Sequence, residues 1–177
     1  SYGDYLRCGS MASKSKIIEA VINFAKSGGL LMGICNGFQI LTESGLLPGA
    51  LLHNSNQKFI CSNVYLVPGT TETLITSGLN PNSPLKIPIA HGEGRYYADE
   101  SQINMLEEND QVLFRYCNST GETTSDANPN GSLNSIAGIC NKERNVFGMM
   151  PHPERAADEM LGNTDGRQIF ESLLSLA

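Results

Sequence analysis

A chain of 177 residues, 40% hydrophobic and 17% charged, has the size and composition of one globular domain with a sizeable core. Its net charge of -6, without a lysine or arginine cluster, disfavours nucleic acid or an anionic membrane as partner, and no apolar run approaches the ~18 residues of a membrane helix. The five cysteines (Cys8, Cys35, Cys61, Cys117, Cys140) show no C-x-x-C spacing, which excludes a zinc knuckle or dithiol motif, and without a signal-peptide pattern they point to a reducing cytoplasm.

Ser13 followed by Lys14 to Lys26, with Ile17, Ala20, Val21 and Phe24 at helical spacing and Gly28-Gly29 beyond, predicts an amphipathic helix. Leu30 to Ile34 predicts a buried strand. A helix from Asn36 should fade before Gly45, and Leu47-Pro48-Gly49 marks a loop. Phe59 to Val67, Lys86 to Ala90 and Val112 to Tyr116 read as extended, and Glu100 to Glu108 as helical. Asn118 to Asn134, dense in polar residues and glycine, predicts a long loop or hairpin insertion. Ile136 to Cys140 and Val146 to Met150 form a hairpin-like pair, and a last helix covers about Asp165 to Leu176. The order suggests an α/β sandwich whose helices cover a largely parallel sheet.

Gly33-Ile34-Cys35-Asn36-Gly37 lies at the predicted strand-to-helix junction and has the pattern of a nucleophile elbow with cysteine at its apex. Glycines on either side relieve crowding there, the helix dipole favours thiolate, and the Asn36 N–H can face a developing oxyanion. The competing reading makes Cys35 a small buried apolar residue.

His152 and Glu154 follow an apolar strand within Met150-Pro151-His152-Pro153-Glu154, at the carboxyl end where α/β folds place their sites. The two prolines bar helix, and in an extended segment residues i and i+2 share a side, so the carboxylate can orient the imidazole. Cys35, His152 and Glu154 then make a Cys-His-Glu triad, against the plainer reading of a loop histidine and a helix-start acid. His91-Gly92-Glu93 is a second H-x-E that competes for the base role. Gly94-Arg95-Tyr96 reads as a surface turn, a recognition contact or a solvated loop, and His53 as a solvated loop residue. No P-C-x-x-C follows to complete a zinc deaminase site.

With Gly-Ile-Cys-Asn-Gly-Phe-Gln early and His-Pro-Glu-Arg late, the chain resembles the class I, triad-type glutamine amidotransferases. Ser1-Tyr2-Gly3-Asp4-Tyr5-Leu6-Arg7, Cys35-Asn36-Gly37-Phe38-Gln39, His91-Gly92-Glu93-Gly94 and Gly148-Met149-Met150-Pro151-His152-Pro153-Glu154-Arg155 are similar to the free-standing glutaminase subunits of phosphoribosylformylglycinamidine synthases. The resemblance implies a flavodoxin-like three-layer α/β sandwich with a mainly parallel sheet, one amidotransferase domain over residues 1–177. It implies that Cys35 attacks the glutamine side-chain amide, His152 shuttles the proton, Glu154 orients His152 and Gln39 contacts the bound glutamine. Ammonia would pass to a large synthetase subunit, with a small third protein bridging the complex. This chain would bind no cofactor, since no G-x-x-x-x-G-K-[ST] is present, and ATP and Mg would serve the synthetase.

The departure is at the front. The family's segment before Ser-Tyr-Gly-Asp supplies the first strands and a second oxyanion donor, so the sequence is expected to be an N-terminally truncated record of a longer protein. The same triad serving another synthase, or an impaired docking module, are the alternative readings.

Overall fold

The protein is described by a computed structural model over residues 8–174, so the Ser1-to-Arg7 motif lies outside the described residues. The elements run α1 (Cys8–Ala12), α2 (Ile18–Lys26), β1 (Leu31–Ile34), α3 (Asn36–Glu43), β2 (Ala50–Leu52), β3 (Ile60–Pro68), β4 (Leu85–His91), β5 (Arg95–Tyr97), α4 (Glu100–Glu108), β6 (Val112–Cys117), β7 (Ile136–Cys140), β8 (Val146–Met149) and α5 (Arg167–Leu174). Six strands form one sheet in the order β1-β8-β7-β6-β3-β4, and β2 pairs with β5 in a separate two-stranded ribbon.

Side chains along the central strands divide between two cores, with a register shift between β6 and β7 breaking strict alternation. Ile136 and Ile139 of β7 and Val146 of β8 join Phe38 and Leu41 of α3 and Leu106 of α4 on one face. Ala137, Cys140, Phe147 and Met149 face the other way, with Ile169 of α5 and Ala156. Burial on both faces is the three-layer α/β arrangement expected. Gly148 is needed on the first face, because a Cβ there would lie 2.3 Å from Cδ2 of Phe38, whose ring stacks on Tyr96 with centroids 5.9 Å apart.

The mainly parallel sheet expected from the sequence is, among the described residues, a mixed one. Only β1 and β8 pair in parallel; β8-β7, β7-β6, β6-β3 and β3-β4 are antiparallel. Continuous apolar runs suggested parallel strands because parallel strands are buried on both faces, but here antiparallel strands are covered on both faces as well. Following the reversals across the sheet, β1, β8, β6 and β4 all run the same way.

Several boundaries moved for local reasons. Ser13 does not cap α2; its hydroxyl donates back to the Ser10 carbonyl of α1, and α2 starts at Ile18 without a side-chain cap. Gly94-Arg95-Tyr96 is not a turn, because Arg95 to Tyr97 pair with β2 and Tyr96 is buried at 1% exposure. The 118–134 stretch holds a 3-10 turn rather than a hairpin, and Asn130, fully buried, donates to the Gly94 carbonyl at 2.8 Å. Glu100–Glu108 forms as expected, with Asp99 accepting from the Gln102 N–H at 2.8 Å.

A flat sheet of this order would hold β1 and β4 about 24 Å apart. They are not. The His152 N–H donates to the Pro88 carbonyl of β4 at 2.8 Å, and Cys35 Sγ lies 3.8 Å from the Ala90 carbonyl. The sheet therefore curls until its first and last strands approach at their carboxyl ends, and that seam holds the site. Among the described residues no helix is long and apolar enough to cross a membrane.

Candidate active site

β1 ends in register with β8, Ile34 opposite Met149, and the Cys35 N–H donates to the Met149 carbonyl at 2.8 Å. The very next residue begins α3. Reversing from strand to helix across one residue puts Cys35 at φ 52, ψ -106, a left-handed conformation that crowds a side chain against its own backbone. Gly33 permits the close return of the helix, since a Cβ on it would meet the Gly37 carbonyl carbon at 2.6 Å. A strained cysteine between a strand end and a helix start has the backbone geometry that the Gly-x-Cys-x-Gly pattern predicts. Cys35 is 7% exposed.

One turn along α3, Gln39 is buried and held at both ends of its amide. Its Oε1 accepts from Asn36 Nδ2 at 3.0 Å and its Nε2 donates to the Glu93 carbonyl at 2.7 Å. A cleft of about 320 Å³ opens beside it, lined also by Thr42, Leu52, His53 and Glu93.

His152 follows β8, the parallel neighbour of β1, so both residues emerge from adjacent strand ends. The prolines act differently from the extended segment expected: Pro153 opens a 3-10 turn, Pro153–Ala156, a position where proline's missing N–H costs nothing. That turn brings Glu154 back against the ring, and His152 Nδ1–H donates to Glu154 Oε1 at 2.6 Å. Half-burial pushes the Glu154 carboxyl up. The hydrogen bond from His152, a backbone N–H and the charges of His152 and Arg155 outweigh it, leaving the carboxyl below its usual range. His152 is buried, and among the described residues its Nε2 has no hydrogen-bond partner.

The second H-x-E does not form a histidine–glutamate pair. His91 ends β4, and its Nδ1 lies 3.0 Å from Asn54 Oδ1. Glu93 instead reaches His53, Oε1 to Nε2 at 3.3 Å, so His53 is not a merely solvated residue, and Arg95 Nε donates to the His53 carbonyl. Asn54 was missed from the sequence, where it sits in an unremarkable polar run. It is fully buried, with Nδ2 donating to the Lys58 and His91 carbonyls and Oδ1 accepting the Gly94 N–H at 3.2 Å.

Burial, then the neighbouring His152, push the His91 imidazole down to about 4. In the unfolded chain it titrates near 6.5, so below about pH 6.5 the unfolded state takes up a proton that the folded state refuses until about pH 4. Stability should thus fall as pH drops through that window, by on the order of 3 kcal/mol from this residue. Urea unfolding of the wild type and of His91→Gln between pH 6.5 and 4 checks it: the variant should lose about 3 kcal/mol less stability across that window.

A cysteine at a strand-to-helix elbow of a three-layer α/β sheet is an arrangement suited to acyl transfer. The glutamine amidotransferases are the class that the comparison gives. Residues 1–172 match the CobB/CobQ-like glutamine amidotransferase domain family, and the chain belongs to it. At the next level it is 54% identical over 177 residues to phosphoribosylformylglycinamidine synthase subunit PurQ of Gloeobacter violaceus, covering 100% of this chain and 76% of that protein. It is 55% identical over 174 residues to the PurQ subunit of a Nostoc species, covering 98% of this chain and 74% of that one. The structure of PurLQS from Thermotoga maritima contains a chain that superimposes with a TM-score of 0.83 at 45% identity, over 99% of this chain and 75% of that chain.

Proposed function

We propose that the chain is the glutaminase subunit of a phosphoribosylformylglycinamidine synthase. It hydrolyses glutamine to glutamate and ammonia. A large synthetase subunit uses the ammonia, with ATP, to convert formylglycinamide ribonucleotide to formylglycinamidine ribonucleotide in purine biosynthesis. The observation that carries this reading is the strained Cys35 elbow and the His152–Glu154 pair on adjacent parallel strand ends. Identity above one half to PurQ subunits along the whole chain supports the choice of synthase.

The chemistry follows from the placement. Cys35 gives its proton to His152 Nε2, and the thiolate adds to the side-chain amide carbon of glutamine. The Asn36 N–H, at the positive end of α3, stabilises the oxyanion. His152 returns the proton to the amide nitrogen, the C–N bond breaks, and ammonia leaves behind a thioester. Water then adds to the thioester, its proton passes through His152, and glutamate departs as the thiolate reforms. Glu154 keeps the other imidazole proton on Nδ1, so Nε2 stays available throughout. Gln39, fixed by Asn36 and the Glu93 carbonyl, contacts the bound glutamine. The side chains of this subunit carry the reaction without a cofactor, ATP and Mg are used by the synthetase, a small third subunit bridges the two, and the complex works in the cytoplasm.

Glutamate release by the full complex, supplied with ATP and formylglycinamide ribonucleotide, tests the reading. Glu154→Gln should lower kcat about 100-fold with little change in KM, because orientation and tautomer are lost while binding is kept. A wild-type complex that releases no glutamate, or a Glu154→Gln complex at full rate, would overturn it.

A further inference from the structure

His91 is the buried titratable group that the triad leaves unused. It is 1% exposed, and among the described residues its Nε2 has no hydrogen-bond partner, the same condition as Nε2 of His152. Buried polar atoms are nearly always satisfied, so an orphan in an otherwise well-bonded region asks for a functional explanation.

The state of the ring follows from its neighbours. Asn54 donates through Nδ2 to two carbonyls, which fixes its amide with Oδ1 toward His91 and the Gly94 N–H. An amide oxygen only accepts, so His91 Nδ1 must carry the proton. Burial, which lowers its pKa to about 4, keeps the ring neutral at neutral pH, so with the proton on Nδ1 the other nitrogen, Nε2, is an acceptor. Gly94 lies against the imidazole, where a Cβ would come within 2.3 Å, so the ring is clamped between backbone and Asn54. His91 follows Ala90, whose carbonyl is 3.8 Å from Cys35 Sγ, and Pro88, three residues before it on the same strand, accepts the His152 N–H at 2.8 Å. A rigid acceptor thus sits in the same seam as the nucleophile and the base.

We propose that His91 Nε2 accepts a hydrogen bond from the side-chain NH₂ of glutamine and from the ammonia it becomes, making His91 a specificity-determining residue. The amide has two N–H groups. One faces His91 while the nitrogen lone pair, formed as the carbon becomes tetrahedral, takes the proton from His152. Glutamate, the product, offers only carboxylate oxygens, which meet a nitrogen lone pair there and are repelled. The acceptor therefore favours substrate over product, and it holds ammonia at the point of departure.

The assignment rests on Cys35 acting as the glutaminase nucleophile, so the test compares two acyl donors in the full-length complex. L-glutamic acid γ-methyl ester presents the same carbonyl with no N–H on its leaving group. In His91→Leu the ratio of kcat/KM for glutamine to that for the ester should fall roughly 10- to 100-fold. An equal loss on both donors overturns the proposal, because a structural role or an effect through His152 touches both alike. Failure of the glutaminase reading looks different: the wild type then turns over neither donor. Should His91→Leu not fold, equilibrium binding to the Cys35→Ala complex decides. Glutamine should bind at least about 10-fold more tightly than the ester, and equal affinity overturns the proposal.

Discussion

Cys35→Ala should abolish glutamine-dependent synthesis, by roughly 10⁴-fold or more, while synthesis driven by added ammonium stays at the wild-type rate. The size of the loss follows from the mechanism. Without the sulfur there is no thioester, and direct attack of water on the amide must replace two easier steps. The fold has reason to survive the change. Alanine adds no volume at the elbow, and the Cys35 N–H bond to Met149 belongs to the backbone. Glutamate release and ammonium-dependent turnover on one preparation separate the outcomes. Loss of both would mean that the variant no longer docks or folds; retention of glutamate release would refute the nucleophile.

The second large effect is expected at Gly33→Ala. Its methyl would lie 2.6 Å from the Gly37 carbonyl carbon and 2.7 Å from the Gly37 oxygen, both backbone atoms, and 2.6 Å from Leu41 Cδ1. A side-chain tip could swing aside, but the helix backbone cannot move without taking Cys35 with it. Overpacking of this kind costs about 3 kcal/mol. A nucleophile displaced by an ångström costs a further ~10² in rate. Gly37→Ala is the internal comparison. Among the described residues a Cβ there meets nothing within 4 Å, and alanine is the better helix former, by about 1 kcal/mol. The two glycines look equivalent in Gly-x-Cys-x-Gly, yet denaturant midpoints should separate them by several kcal/mol. A stable, fully active Gly33→Ala would remove the steric account of the elbow.

The parts legible in the sequence were those written within a few residues of one another. Glu100–Glu108 carries its own cap and apolar stripe, and β7 and β8 are separated only by a short polar turn. His152 and Glu154 are two positions apart, so their contact was readable even though a 3-10 turn rather than an extended segment makes it. β2 and β5 were missed because three-residue strands carry too little periodicity. Asn54 was unreadable for a different reason: its partners come from β4 and the loop after it, and a polar residue in a polar run announces nothing about burial.

By itself the sequence determined the local devices. They are the Gly33-to-Gly37 elbow, the prolines that set His152 and Glu154 together, and the apolar runs of β6, β7 and β8 that are buried on both faces, each specified by neighbours close in sequence. The tertiary structure alone decided strand direction and the curl that carries β4 round to β1 and β8. Direction depends on which way the chain returns across the sheet, and curl on twist accumulated over six strands, and neither leaves a periodic trace. That closure brings β4, from the far edge of the sheet, against the triad strands: the Ala90 carbonyl next to His91 lies 3.8 Å from Cys35 Sγ, and the Pro88 carbonyl accepts the His152 N–H.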